Sequence, residues 1–376
     1  MKYRRIVAII MIFLLAAGMI VTMSGCGKGS EESKATPPAG RNTEAEPTGS
    51  TADDQSDGKE VPDSGDTGAV EDFHLTIEEA QENAGKINAR SFLQPDGIML
   101  CDNENLEYWA KAMAATGGKI KRIHSGCYID EDDHVYGNSE FALYDGAEIA
   151  WFCFEEISAA VTTDHELLMN RDPSSYYRKV PEIHDAVMAD EADKVVAVLH
   201  TDGTVTTYSI ETDANPSQYD WDIDLSCLTD IVQMQICVMF PMNEEDDMIP
   251  LIIGLKRDGT MVSTANYPEE IAEWSDIVGF KLDETGVVGW KGDGTLVACG
   301  KYIFNTLPKE SISEYRHIRY FEIGRGDNIS AVSDDGYAIG EIRFAPYHVL
   351  TDGSYDFNDY DPMPDYEEWR EEANKN

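Results

Sequence analysis

One short phrase recurs down this 376-residue chain and limits what it can fold into. An apolar, β-rich run leads to Asp-Gly or a close variant, and a second apolar run follows. The copies read VVAVLHTDGTVTTYS from Val195, IIGLKRDGTMVSTA from Ile252, VVGWKGDGTLVACG from Val287 and ISAVSDDGYAIGE from Ile329. Each reads as a hairpin with its own turn signal, because a tight hairpin needs positive φ at its centre, which Gly adopts freely and Asp tolerates. Residues after the turn alternate in character, as in Thr204-Val205-Thr206-Thr207-Tyr208, which suits a strand with one buried face. A hairpin repeated in this way marks an array built from one supersecondary unit.

The turns fall at Asp96-Gly97, Asp202-Gly203, Asp258-Gly259, Asp293-Gly294 and Asp335-Gly336, while Asp133-His134 and Asp164-His165 keep the acidic residue and carry His in place of Gly. These seven Asp positions lie 31 to 56 residues apart, the spacing of four-stranded propeller blades. The predicted fold is therefore all-β, a seven-bladed β-propeller with short helical insertions, six or eight blades being the alternatives. The Asp is read as turn chemistry, since the Gly that the turn needs follows it. Thr76-x-x-Glu79 predicts a capped helix before the first blade, and Leu106, Trp109, Ala110 and Met113 recur at helical spacing. The phrase from Tyr347 to Tyr355 holds one more Asp-Gly and can supply a strand that closes the ring, leaving no open edge.

Lys2, Arg4 and Arg5 precede an apolar run from Ile6 to about Met23, the charge pattern of a signal peptide. Small residues then lead into Cys26. This end resembles the lipobox of bacterial lipoproteins, which implies lipid attachment at Cys26 and an extracytoplasmic protein anchored to the cell membrane. Residues 26–72 are acidic and rich in Gly, Ser, Thr and Pro, with no aromatic before Phe73, and read as a disordered linker. The propeller is expected over 73–355 and an acidic tail over 356–376. A formal net charge of −42 excludes nucleic acid as a partner, because phosphate binding needs clustered Lys and Arg.

Besides Cys26, six cysteines are present, and Cys153, Cys237 and Cys299 stand in apolar strand contexts that favour buried thiols over disulfides. No HExxH, G-x-S-x-G or phosphate-loop motif occurs. No cofactor is expected. Calcium is the one ion weighed, but Asp130-Glu131-Asp132-Asp133 and Glu244-Glu245-Asp246-Asp247 lack the alternating layout of a calcium loop and read as solvated loops. Of Trp151, Trp221, Trp274 and Trp290, most are expected in the core and some at a binding rim.

A second phrase precedes the later hairpins: Leu228-Thr229-Asp230-Ile231-Val232, Trp274-Ser275-Asp276-Ile277-Val278 and Tyr315-Arg316-His317-Ile318-Arg319. Taken with the hairpins, this resembles the regulator of chromosome condensation repeat family over about Ser91 to Ile342. The family's glycine-rich segment is missing, since Gly300 is followed by KYIFNTLP. The resemblance implies a bladed propeller used as a protein-binding platform, and it does not carry over the founding member's nuclear exchange activity. The function expected is a lipid-anchored, non-catalytic binding or scaffold module for a protein or a cell-envelope glycan. The alternative is a secreted hydrolase acting on carbohydrate at the central channel.

Overall fold

The computed structural model describes residues 73–357, apart from 89, 125–126, 138–147, 153–158, 170–177, 211–216, 241–246, 266, 301–311, 313–314, 325–327, 341, 343–344 and 346. They belong to the second of two compact units, Thr67–Asn376. The signal segment, Cys26, the linker, Cys153, the Glu244–Asp246 acidic stretch and the tail beyond Phe357 lie outside the described residues.

Helix α1 (Ile77–Ala84) opens the unit with the expected capping box, in which Glu79 N–H donates to Thr76 Oγ1 and Thr76 N–H to the Glu79 carboxylate. Strands β1 (Ser91–Leu93) and β2 (Met99–Cys101) form a hairpin, and helix α2 (Leu106–Thr116) follows. Next come β3 (Ile120–His124), β4 (Cys127–Asp130) and β5 (Val135–Gly137), then β6 (Ile149–Phe152), β7 (Ala159–Thr162), β8 (Leu167–Met169) and β9 (Arg178–Lys179). The most regular sheets are β10 (Ala186–Ala192), β11 (Val195–His200) and β12 (Val205–Ser209); β13 (Ile231–Met239), β14 (Ile249–Lys256) and β15 (Met261–Ser263); and β16 (Ile277–Asp283), β17 (Gly286–Lys291) and β18 (Leu296–Gly300). The chain ends with β19 (Ile318–Gly324), β20 (Asn328–Ser333) and β21 (Ala338–Ile339), then β22 (Tyr347–Val349) and β23 (Tyr355–Phe357).

These strands make seven antiparallel sheets, and the fold is a seven-bladed β-propeller. Its closing sheet has the order β1-β2-β22-β23, so the first and last hairpins share one blade. Met99, Leu100 and Cys101 pair with Val349, His348 and Tyr347. Among the described residues, five sheets have three strands where four were expected. After β12 the reason is visible: residues 217–227 run along the blade without joining its ladder, and Trp221, Ile223, Leu225 and Cys227 pack on the core.

The uninterrupted apolar middle strands follow from blade stacking. Val196 and Val198 of β11 pack with Ala159 and Val161 of the preceding blade, while Val195, Ala197 and Leu199 pack with Ile231, Met234 and Ile236 of the next. Both faces are buried, so no polar alternation is needed. Trp290 repeats the arrangement two blades later, packed on Phe321 with its indole N–H donating to the Ile318 carbonyl. Among the described cysteines, Cys101, Cys127, Cys237 and Cys299 are buried thiols and Cys227 is half-buried. Burial pushes the Cys101 and Cys127 thiols up to about 12.

The Asp-Gly turns share one geometry. In each, a three-residue loop is closed by two backbone bonds, as where His200 N–H donates to Thr204 O and Gly203 N–H to His200 O, and the third residue is left-handed. Gly97, Gly203, Gly259, Gly294, Gly336 and Gly353 hold φ between 74° and 84° there. His165 takes the same place at φ 64°. At the remaining turn the register differs from the expected one, because Asp133, at φ 65°, fills the glycine position rather than His134.

The Asp that precedes each Gly is not among the positive-φ residues. It acts through its side chain: Asp202, Asp258 and Asp293 each accept from the N–H and hydroxyl of the Thr two residues on, and Asp352 does so from Ser354. The hydroxyl and then the amide bond hold Asp202, Asp258 and Asp352 below the usual 3.8. A carboxylate with a depressed folded pKa contributes stability that is present above its unfolded value and lost as pH falls through the folded one. Replacing all three with Asn is therefore expected to flatten the fall in melting temperature on acidification below about pH 4, checked by parallel thermal melts from pH 6 to pH 2.5.

Candidate binding face

The two ends of the ring are built differently. At the end that carries the Asp-Gly turns, the left-handed residue of a turn reaches the next blade. Asp133, His165, Gly203, Gly259 and Gly294 accept through their carbonyls from the N–H of Ile149, Ala186, Ile231, Ile277 and Ile318, each the first residue of the following blade, at 2.9–3.0 Å. The contact is close, since a Cβ on Gly294 would lie 2.6 Å from His317 Cα and 2.7 Å from Ile318 N. A second bond ties each such turn to its own blade, as Arg257 N–H to Asp230 O and Gly292 N–H to Asp276 O. The Asp-Ile and His-Ile steps of the second phrase sit here, with Asp230, Asp276 and His317 left-handed at φ 55–61°. This end also receives the entering chain: Phe73 stacks on His317 beneath Arg319, and Leu75 N–H donates to Gly292 O.

A belt of polar contacts joins the first strands of successive blades. Arg122 of β3 lies 5.6 Å from the Trp151 ring of β6, and Trp151 Nε1 donates to Ala189 O of β10. Asp190 accepts from Ile236 N–H of β13, Gln233 donates to Phe280 O of β16, and Lys281 pairs with Glu322 of β19 at 2.7 Å. Tyr320 of β19 then meets Phe92 of β1 edge to face. Burial raises the Glu322 pKa while Lys281 opposes the rise. Helix α1 packs on β16 and β19, and its Gln81 donates to Val232 O.

The opposite end gathers loops from three neighbouring blades. Asp193 and Lys194 form the β10–β11 turn with positive φ at both residues. The Asp193 carboxylate accepts from Ser217 Oγ at 2.5 Å and from the N–H of Gln218 and Tyr219 at 2.9 and 3.1 Å. This fixes the start of the 217–227 strap. Tyr219 Oη reaches Met248 Sδ at 3.2 Å, Phe240 N–H donates to Glu284 O, and Tyr267 Oη donates to Phe240 O. Phe240 remains 38% exposed. Burial raises the Tyr219 pKa, and the Asp193 and Glu284 charges add to the rise. Along the strap the apolar side chains face the core while Asp220, Asp222 and Asp224 are exposed. The result is an aromatic patch bordered by carboxylates. An Asp193→Ala substitution leaves the Gln218 N–H without its acceptor and leaves Ser217 and Tyr219 only their bonds to each other, and is expected to cost about 1–3 kcal/mol, with faster hydrogen exchange confined to residues 217–223, read by urea denaturation and exchange mass spectrometry.

The turn residues Asp96, Gly97, Asp202, Gly203, Asp258, Gly259, Asp293, Gly294, Asp335 and Gly336 all stand away from this patch, at the turn end. Trp290 is core, Trp151 belongs to the belt, Trp274 is half-buried against Gly289, and Trp221 lies on the strap. His165 Nδ1 lies 2.9 Å from Ala186 O, so it supports an inter-blade junction. Asp130, Asp132 and His134 bring ligand atoms within 4.8 Å of one another, but Asp130 Oδ1 already accepts from the N–H of Asp132 and His134 as part of the turn. Sequence reading missed the strap, although Tyr219-Asp220-Trp221-Asp222-Ile223-Asp224-Leu225 alternates strictly.

No family model matches the chain, and no curated protein matches it. Solved structures similar to it include Prp20p from Saccharomyces cerevisiae, in a study of its binding to Gsp1p and histones, at 12% identity over 57% of this chain and a TM-score of 0.34. The chain spans 60% of that protein's length. The yeast RCC1 (Prp20) structure with Kap60 matches at 12% identity over 81% of this chain and 72% of that one, TM-score 0.36. BamB from Moraxella catarrhalis matches at 13% identity over 63% and 92%, TM-score 0.26. These likenesses are distant, and the fold assignment rests on the chain's own strand pairing.

Proposed function

We propose that this chain is a non-catalytic, protein-binding propeller, held outside the cytoplasm by lipid on Cys26, that engages its partner through the loop end. The observation that carries the reading is the convergence of Tyr219, Phe240, Met248 and Tyr267 from two neighbouring blades, joined by Glu284 of a third, into one partly exposed patch bordered by carboxylates. Aromatic side chains offer large, rigid contact area at low entropic cost and dominate binding hot spots. Exposed Asp220, Asp222, Asp224 and Glu284 beside them suit a basic partner surface, whose approach the acidic chain accelerates. A protein is favoured over a neutral glycan because only a charged, basic surface gains from attraction to the flanking carboxylates.

A Phe240→Ala, Tyr219→Ala double variant tests the site. It is expected to weaken capture of the envelope partner by about 30-fold or more, while Asp335→Ala at the turn end leaves capture unchanged. Equal capture by all three chains contradicts the assignment. Replacing Cys26 with Ala is expected to release the protein into the medium, and unchanged membrane retention sinks the anchor.

A further inference from the structure

The first strands of six blades share one irregularity. Each carries a β-bulge between its first and third residues, and the third residues are Arg122, Trp151, Met188, Gln233, Gly279 and Tyr320. A bulge re-aims a side chain, and here it sends the third one toward the following blade. Arg122 lies over the Trp151 ring, Trp151 Nε1 donates to Ala189 O, Met188 Sδ accepts from Met234 N–H at 3.4 Å, Gln233 donates to Phe280 O at 2.8 Å and Tyr320 meets Phe92. Gly279 breaks the series, having no side chain to send from β16 toward β19.

Helix α1 fills that gap. It packs on both β16 and β19, and a Cβ on Gly279 would lie 3.8 Å from Ala80 Cβ and 3.5 Å from Trp290 Cε3, a contact that an alanine satisfies and a longer side chain overfills. From this seat the helix crosses the mouth of the ring. Gln81 donates to Val232 O of β13, and Gly85 O, just past the helix, accepts from Ile123 N–H of β3 at 2.7 Å. The sheets that hold β3 and β13 stand three places apart in a ring of seven, the widest separation such a ring allows.

The helix depends on that seat. Of its eight residues Ala80 alone is fully buried, while Glu78, Glu79 and Glu82 face solvent. A helix of this length is marginal in water even with a good cap, so one that leaves the notch unravels. The blades beneath have their own ladders and junction bonds, and local opening of a thinly buried element leaves such a frame intact.

We propose that α1 is a lid on the turn-end mouth of the ring, keyed to the notch at Gly279, and that it opens as a unit while the blades stay folded. The lid is independent of the loop-end partner, so its test needs no ligand.

Hydrogen exchange of the intact chain and three variants decides it. In the intact chain the amides of Ala80–Ala84 are expected to exchange at least about tenfold faster than those of the β13–β14 ladder. Gly279→Met puts into the gap the side chain that Met188 supplies two blades earlier, and is expected to speed exchange over Ile77–Ala84 by about another tenfold with the ladder unchanged. Ala80→Leu overfills the same notch from the helix side and is expected to do the same, whereas Gly279→Ala fits and leaves exchange as it was. Exchange of α1 in the slowest class together with the ladder overturns the lid. So does unchanged helix exchange in both Gly279→Met and Ala80→Leu, since the notch would then not be the seat. A rise of equal size in helix and ladder also overturns it, because the helix would then open only with the ring.

Discussion

A chain that ends after Pro346 is expected to lose cooperative unfolding, or to melt at least about 10 °C below one that ends after Phe357. The comparison isolates β22 and β23, because both chains lack residues 358–376. Removing the hairpin takes Val349, fully buried, out of the cluster formed by Leu93, Met99, Trp109, Met113 and Ile120. It also strips the partner strand from β2 and leaves its donors and acceptors open to other chains. The loss falls where the ring must close, so every blade junction feels it. Far-ultraviolet melts with light scattering read both consequences, unfolding and association.

The second expectation separates two glycines that the sequence presents as equivalents. Gly294→Ala is expected to cost about 3–4 kcal/mol and Gly336→Ala only about 1 kcal/mol. Both residues are left-handed, at φ 74° and 82°, so both substitutions carry the conformational penalty of an L residue there. Gly294 is in addition pressed against the next blade, with a Cβ placed 2.6 Å from His317 Cα and from the Phe73 ring, whereas a Cβ on Gly336 meets nothing within 4 Å. Urea denaturation of the two variants gives the difference directly. Equal costs would mean that the Asp-Gly turn shapes a hairpin and does no more.

The repeat was legible because hairpin strands and their turns are local: a period of two, an Asp-Gly at each tip and a capping box at Thr76 all act within a few residues. Ring closure was legible for the same reason, since Tyr347 to Tyr355 carries a hairpin's own signal. Other features depend on neighbours far along the chain. That the Gly203 carbonyl is an acceptor for Ile231 follows only when two blades stack, and the belt from Arg122 to Glu322 joins side chains that are neighbours only across blades. At Asp130-Glu131-Asp132-Asp133-His134 the phrase permits two turn registers, and the ladder of β4 with β5 selects the one with Asp133 left-handed. The 217–227 strap reads as a strand by alternation, yet it pairs with none, because the blade edge it covers is met by side chains rather than by backbone.

These points converge on one claim, that the recurring phrase encodes a bond between blades as well as a turn within one. The proposed binding role rests instead on what differs between the repeats, at the other end of the ring. Strand-end amides ordinarily fray and exchange early. If the claim holds, the amides of Ile149, Ala186, Ile231, Ile277 and Ile318, each the first residue of its strand, exchange with the slowest class in residue-resolved hydrogen exchange of the intact propeller, alongside the middle strands. Exchange of these five amides on the fast timescale of exposed loop ends would contradict it.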